Sequence, residues 1–416
     1  MDNDFLPRKG SAHSTTSHAS PGNNAASFRP PDSVAADDDM HMQLDTPGHD
    51  SSSHESYGSP KKRRSFKEWL KSITKKQWII IVIVALLVLG AGGFALYHFV
   101  LKKPKVVSAP IVHKQAQPAA TPIAPPISKL TGLPMAEASI NQRPVTAVMI
   151  ENSSDARPQS GLLQAGVVFE AIAEGGITRF LTLFQDTEPD YIGPVRSVRP
   201  YYIQWLMGFD AGVAHVGGSG DALAMLKTLG VKDLDQFYNP GPYHRITSRI
   251  APHNMYSSVA ALRLLQESKG YTSNYTGFVR KPEAKVATPN ATGIDFNISG
   301  SFYNPHYDYD AATNSYKRSE GGAPHVDAAT GQQLSPKVVV ALVMDQGSNG
   351  EYTTYNTIGS GEADVFQDGT VQKGAWHKAS NTDQMTFTDV NGAPLKLDPG
   401  QTWLSVVGAP SRISFK

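Results

Sequence analysis

The sequence predicts an α/β first half packed on a mainly β second half, both held to a membrane by one N-terminal helix. Three observations predict it. Residues 78–100 form a single apolar run without Asp, Glu, Lys or Arg. Between Pro144 and Ser268 apolar strand-like runs alternate with helical patterns, which marks an α/β domain. From about Gly293 onward, short stretches of period-two alternation recur between turn residues, as β-rich domains require.

Charge is strongly segregated along the 416 residues. Residues 1–60 carry three Lys/Arg and nine Asp/Glu, are rich in Ser, His, Asp, Pro and Gly, and lack apolar periodicity. Such a segment cannot offset its ordering entropy by burial, so a disordered acidic tail is expected. Its five histidines are irregularly spaced and read as low-complexity sequence. Residues 61–77 carry eight Lys/Arg and one Glu, a basic juxtamembrane segment that favours anionic headgroups. Within it, 66–73 fits a short amphipathic helix.

Trp78 to Val100 spans roughly 34 Å as a helix, enough for a hydrocarbon core of about 30 Å. The basic cluster before it outweighs Lys102, Lys103 and Lys105 after it. The positive-inside rule therefore puts residues 1–77 in the cytoplasm and 101–416 outside. The run is too long for an ordinary signal-peptide core. Its one small-residue cleavage candidate, Val107-Ser108-Ala109, is followed by Pro110, so an uncleaved anchor is expected. Residues 101–129 are Pro/Ala-rich and read as an extended linker. The chain has no cysteine, which excludes disulfides, thiolate metal sites, catalytic thiols and a lipidated-cysteine anchor.

The first half, 130–275, reads as strands over 144–151, 167–173, 177–184 and 211–216, with helices over 200–207, 221–229 and 258–268. The second half, 276–416, reads as strands over 294–301, 305–309, 315–318, 337–344, 362–366, 370–376, 384–388 and 402–407. Asp368-Gly369 between two of these is a strong hairpin signal.

The stretch from Glu170 to Met225 sets Glu174, Arg179, Arg196, Arg199 and His215 beside apolar runs. Arginine clamps phosphate or carboxylate with a planar fork. The turn Gly217-Gly218-Ser219 lies between a strand and a helix, where free backbone N–H groups accommodate an anion. His253 and Asn254, on a polar loop, offer a second wall of the same cleft. These residues form the candidate ligand site. The same arginines also suit structural pairing with Glu170, Glu174 or Asp210, and the sequence leaves both readings open.

Several motifs carry a resemblance: RPVTAVMIENSSDARPQSGL, EGGITRFLTLFQ, IGPVRSVRPYYI, HVGGS and APHNMY in the first half, then HYDYDAATNSYKR, DVFQDG and WHK. In this order they resemble the bacterial YerB-like family, an extracytoplasmic domain of unknown function. The resemblance covers nearly all of 130–410. It implies a two-part ectodomain outside a bacterial plasma membrane. Family members are often lipoproteins, whereas this chain, lacking cysteine, would use its transmembrane helix instead.

The resemblance implies no reaction, so chemistry rests on the residues. A P-loop lysine, a dinucleotide fingerprint and a G-x-S-x-G elbow are missing. His306-Tyr307-Asp308 and His325-Val326-Asp327 are weak metal suggestions, and Glu170 with Glu174 a weak glycosidase pair. No metal or cofactor is expected. The body from Leu130 onward holds 22 Lys/Arg against 27 Asp/Glu, which argues against nonspecific nucleic-acid binding. The expected function is binding of an anionic envelope ligand, such as a phosphorylated or lipid-linked glycan, or of a partner protein. Two alternatives stand beside it: an enzyme acting on lipid-pyrophosphate-linked glycan, and an envelope scaffold with structural arginines.

Overall fold

The computed structural model describes residues 66–71, 73–101 and 124–416. The expectations for the acidic tail and for most of the linker lie outside these residues. The chain divides into two compact units, 1–115 and 116–416.

In the first unit a short helix, Phe66–Lys71, precedes a long one, Lys75–Leu96, which continues as a π-helical turn over Tyr97–Leu101. The Gln77 side chain accepts from the Thr74 N–H at 2.9 Å and closes the long helix's first turn. Helical structure thus begins three residues before the apolar run, because Lys75, Lys76 and Gln77 are good helix formers. None of the long helix is buried, and it is long and apolar enough to cross a membrane.

The second unit is built on one nine-stranded sheet. The first half supplies β1 (Thr146–Glu151), β2 (Val167–Glu174), β3 (Ile177–Phe184) and β4 (Gly212–Ala214), in the spatial order β2-β3-β1-β4. The second half supplies the other five strands, and Thr402–Val407 joins the halves by running parallel to β2. The halves therefore share a sheet as well as packing together. Thr402–Val407 is buried along its whole length, as a central strand with neighbours on both sides must be. A separate five-stranded antiparallel sheet comes from 293–324 and Ile413–Phe415.

Alternation along the strands divides the large sheet's faces. Ala147 and Met149 of β1 enter one core with the Pro200–Met207 and Gly220–Thr228 helices. Val148 and Ile150 enter the other, with the Val259–Ser268 helix and the small sheet. The Asp368-Gly369 hairpin forms as expected, with positive φ at both residues and Gln367 opposite Thr370. Two strands are shorter than their apolar runs suggest: 211–216 narrows to Gly212–Ala214, and 294–301 to Gly293–Phe296. The strand read at 362–366 instead runs Gly359–Gln367, because Gly359-Ser360-Gly361 pairs through its backbone and leaves no side-chain alternation to detect.

Candidate functional site

The site grows from one hairpin. Glu174 ends β2, and Gly175-Gly176, both at positive φ, turn the chain into β3. This turn lets Arg179 reach back to the Glu174 carboxylate. The segment Ile192–Arg199 passes β1 on one side, where Ile150 bridges Val195, and Val216–Ser219 on the other, where Val198 bridges Gly218. Arg199 is extended because Pro200, the first residue of the next helix, disfavours helical geometry before it. That places Arg199 on the other oxygen of Glu174, 2.6 Å away.

Two guanidinium groups thus share one carboxylate. Arg179 also donates to the Ser197 carbonyl at 2.9 Å and Arg199 to that of Val198 at 2.8 Å. Both arginines are buried, and both Nε atoms lack a partner among the described residues. Burial, and next the charge of Arg199, hold the Arg179 guanidinium below its ordinary range. Tyr352, from the second half, bridges Glu174 through its backbone and lays its ring 4.5 Å from Arg199.

Opposite Arg179 on the adjacent strand stands Glu151. Its buried Oε1 lies 3.4 Å from Arg196 Nε and 3.0 Å from His253 Nδ1, and accepts from the Ser153 hydroxyl at 3.0 Å. Its Oε2 has no partner among the described residues. Arg196 and His253 are part-exposed, at 26% and 21% of their side-chain surface, so this end of the ledge faces outward.

The structure therefore brings together Glu174, Arg179 and Arg199, and sets Arg196 with His253 on the neighbouring strand end. It puts the other candidates to different use. His215 is fully buried, with Nδ1 2.8 Å from the Gly217 carbonyl and Nε2 3.0 Å from Asp233. The Gly217 N–H, expected to be free, donates to Asp235 at 3.0 Å. Gly218 runs against Val198, and Ser219 precedes the next helix without a side-chain capping bond. Asn254 holds its own loop, donating to the Ile246 and Arg249 carbonyls and accepting from Arg245. Of the weak metal suggestions, His306 has both ring nitrogens on carboxylates, those of Asp295 and Asp308.

Sequence reasoning missed Glu151, Tyr352, Asp233 and Asp235 as partners. Glu151 carried a signal, as an acidic residue ending an apolar strand beside polar turn residues. Tyr352 carried none, since it lies 153 positions from the arginine it covers. Glu170, read as a neighbour of Glu174, points to the opposite face. There it accepts from Arg318 at 2.7 Å and from Trp403 and Ser405 at 2.9 Å each, in full burial. Regular alternation would leave residues four apart on one face, but a β-bulge between Ile172 and Glu174 shifts the register and turns Glu174 to the other side, so the two carboxylates do not form a pair.

Two families match this chain, described as the N-terminal domain of a protein of unknown function (DUF3048), over 130–272, and the corresponding C-terminal domain, over 294–404. A relative from Bacillus subtilis, described as "Putative lipoprotein YerB", is 32% identical over 291 residues, which are 67% of this chain and 85% of the relative. This chain belongs to the DUF3048, or YerB-like, family. The crystal structure of YerB from Bacillus subtilis matches it with a TM-score of 0.62 at 28% identity, over 70% of this chain and 99% of the other. The paired guanidinium groups and Glu151 all fall in the N-terminal DUF3048 domain, and Tyr352 in the C-terminal one.

Proposed function

We propose that this protein is a single-pass component of the bacterial envelope whose ectodomain binds an anionic ligand, a phosphorylated or lipid-linked glycan, along the Arg196–Arg179–Arg199 ledge. The description of its Bacillus relative as a lipoprotein supports a place at the outer face of the membrane. Here the apolar helix takes the role of a lipid, since the chain has no cysteine to carry one.

One observation carries the binding reading. Among the described residues Arg179 and Arg199 have a single carboxylate between them, which leaves one positive charge there without its own counter-ion in a poorly solvated place. A ligand phosphate would supply that charge, and Arg196 at the outer end would extend the contact. The full chain in detergent micelles, titrated calorimetrically with a polyol-phosphate glycan and with a neutral glycan of similar size, tests this. Only the phosphorylated glycan is expected to bind. Arg199→Gln is expected to weaken it by about tenfold or more, since a charge-assisted hydrogen bond contributes roughly 1.5–3 kcal/mol. Equal binding of both glycans, or an unaffected Arg199→Gln variant, would refute the reading. Turnover of a lipid-pyrophosphate-linked glycan by the same preparation would replace binding with catalysis.

A further inference from the structure

A second site lies on the other side of β1's end. Glu320, the last residue of the strand Ser315–Glu320, and residues after it as far as Val326 line, with Pro158 and Phe302, an open pocket of about 370 Å³. That volume is at the small end of the range for organic ligands. Its walls are apolar except at Arg157, Glu320 and His325.

Arg157 is held in place by Nε on Asn152 Oδ1 (2.9 Å), Nη1 on the Phe302 carbonyl (3.0 Å) and the Phe302 ring 4.3 Å from its guanidinium. Glu320 Oε1 accepts from Asn152 Nδ2 at 2.9 Å. Its Oε2 lies 3.3 Å from Arg157 Nη2 and 3.4 Å from His325 Nδ1, and none of these three atoms makes an aligned hydrogen bond among the described residues. Both Glu320 and His325 are 5% exposed.

The neighbouring bonds fix the histidine's tautomer. Gln159 uses its amide nitrogen as a donor to the Glu151 carbonyl and to Asn152 Oδ1, so its Oε1 faces His325 Nε2 (3.0 Å) as an acceptor. Nε2 therefore carries the hydrogen, and in the neutral ring Nδ1 is a bare lone pair. Burial first, then Arg318 and Arg157, push this imidazole well below its ordinary range. A lone pair facing an ionised Oε2 has no donor between them; a proton on Glu320 supplies one. Burial pushes the Glu320 carboxyl up to about 7, against the pull of Arg318 and Arg157 and with the help of Glu170.

The charges then decide what the pocket accepts. With Glu320 protonated and His325 neutral, Arg157 and Arg318 face one carboxylate, that of Glu170, and the cluster carries one net positive charge. Loss of the proton cancels that charge. We propose that this pocket binds a small organic monoanion, a carboxylate on an apolar body, with Arg157 as its counter-ion and Glu320 keeping its proton while the ligand is bound. The site shares no residue with the arginine ledge and stands or falls independently of it.

The test uses the full chain in lipid nanodiscs, with benzoate as probe and benzyl alcohol as its neutral counterpart. Benzoate is expected to bind saturably at about pH 6 and to weaken towards tenfold per pH unit above about pH 7, while benzyl alcohol does not bind. Arg157→Gln is expected to lose at least tenfold of the affinity. Glu320→Gln should keep the binding and flatten its pH dependence. Calorimetry of the unaltered protein in two buffers of different ionisation heat needs no variant: about one proton taken up per benzoate at about pH 8, and about none at about pH 6, is the expected result. Absence of saturable benzoate binding at the lower pH, equal binding of benzyl alcohol, or no proton uptake at the higher pH would overturn the proposal.

Discussion

Glu320 and His325 exchange a proton relative to the unfolded chain, and that sets a pH window. In the fold the carboxyl is raised to about 7 and the imidazole is held well below its usual value. Between about pH 4.5 and 6.5 the unfolded chain protonates the histidine and the folded one the glutamate, so the proton counts match and stability is flat. Above that window the folded state holds the extra proton and loses stability as pH rises towards about 7. Below it only the unfolded histidine is protonated relative to the fold, so stability falls with falling pH. His325→Gln should remove the second effect, leaving stability that declines steadily from about pH 4.5 to 7, and Glu320→Gln should leave a decline below about pH 6.5. Urea denaturation across this range reads both; two parallel profiles would show that the dyad does not titrate this way. Nearby, Arg318 and Glu170 form a fully buried pair. Arg318→Met should destabilise by about 3–5 kcal/mol, because Glu170 is left charged and unpaired. Adding Glu170→Gln should recover part of that loss in the same denaturation experiment.

At the scale of elements, two serines preceding helices look alike in sequence and differ in the fold. Ser258 accepts a hydrogen bond from the Ala261 N–H at 3.1 Å, whereas the Ser219 hydroxyl has no partner among the described residues. Ser258→Ala should therefore lose about 1 kcal/mol, and Ser219→Ala close to nothing, as measured by thermal unfolding. The hairpin of β2 and β3 shows how much of the ledge was legible. Strand limits followed from apolar runs of the right length, and Gly175-Gly176 marked the turn. Arg179 and Glu174 were thus readable as neighbours across it. That Arg199 would occupy the same carboxylate was not, because a contact 25 residues away leaves no periodic trace.

For the whole molecule, orientation in the membrane is the first thing to measure. The cysteine-free chain allows single thiols to be placed at will. Ser348→Cys should react with a membrane-impermeant maleimide on intact cells, while Ser52→Cys should react only after lysis. The reverse pattern would invert the topology and remove the envelope reading of the ectodomain.

The sequence alone determined the membrane-length helix, the change from α/β to β texture and most strand and helix positions. These depend on composition and local periodicity, which each segment carries within itself. It also singled out Arg179, Arg196 and Arg199, without naming the partners that the fold gives them. Only the tertiary structure decided that both halves share one sheet, since strand order depends on pairing between distant segments such as Val167–Glu170 and Thr402–Ser405. Only it decided that Glu170 and Glu174 face opposite cores, that His215 is committed to Asp233, and that Arg157, Glu320 and His325 meet at a pocket. Those outcomes rest on long-range packing of buried charge, where the partner that satisfies a group is chosen by the fold and not by its neighbours in the chain.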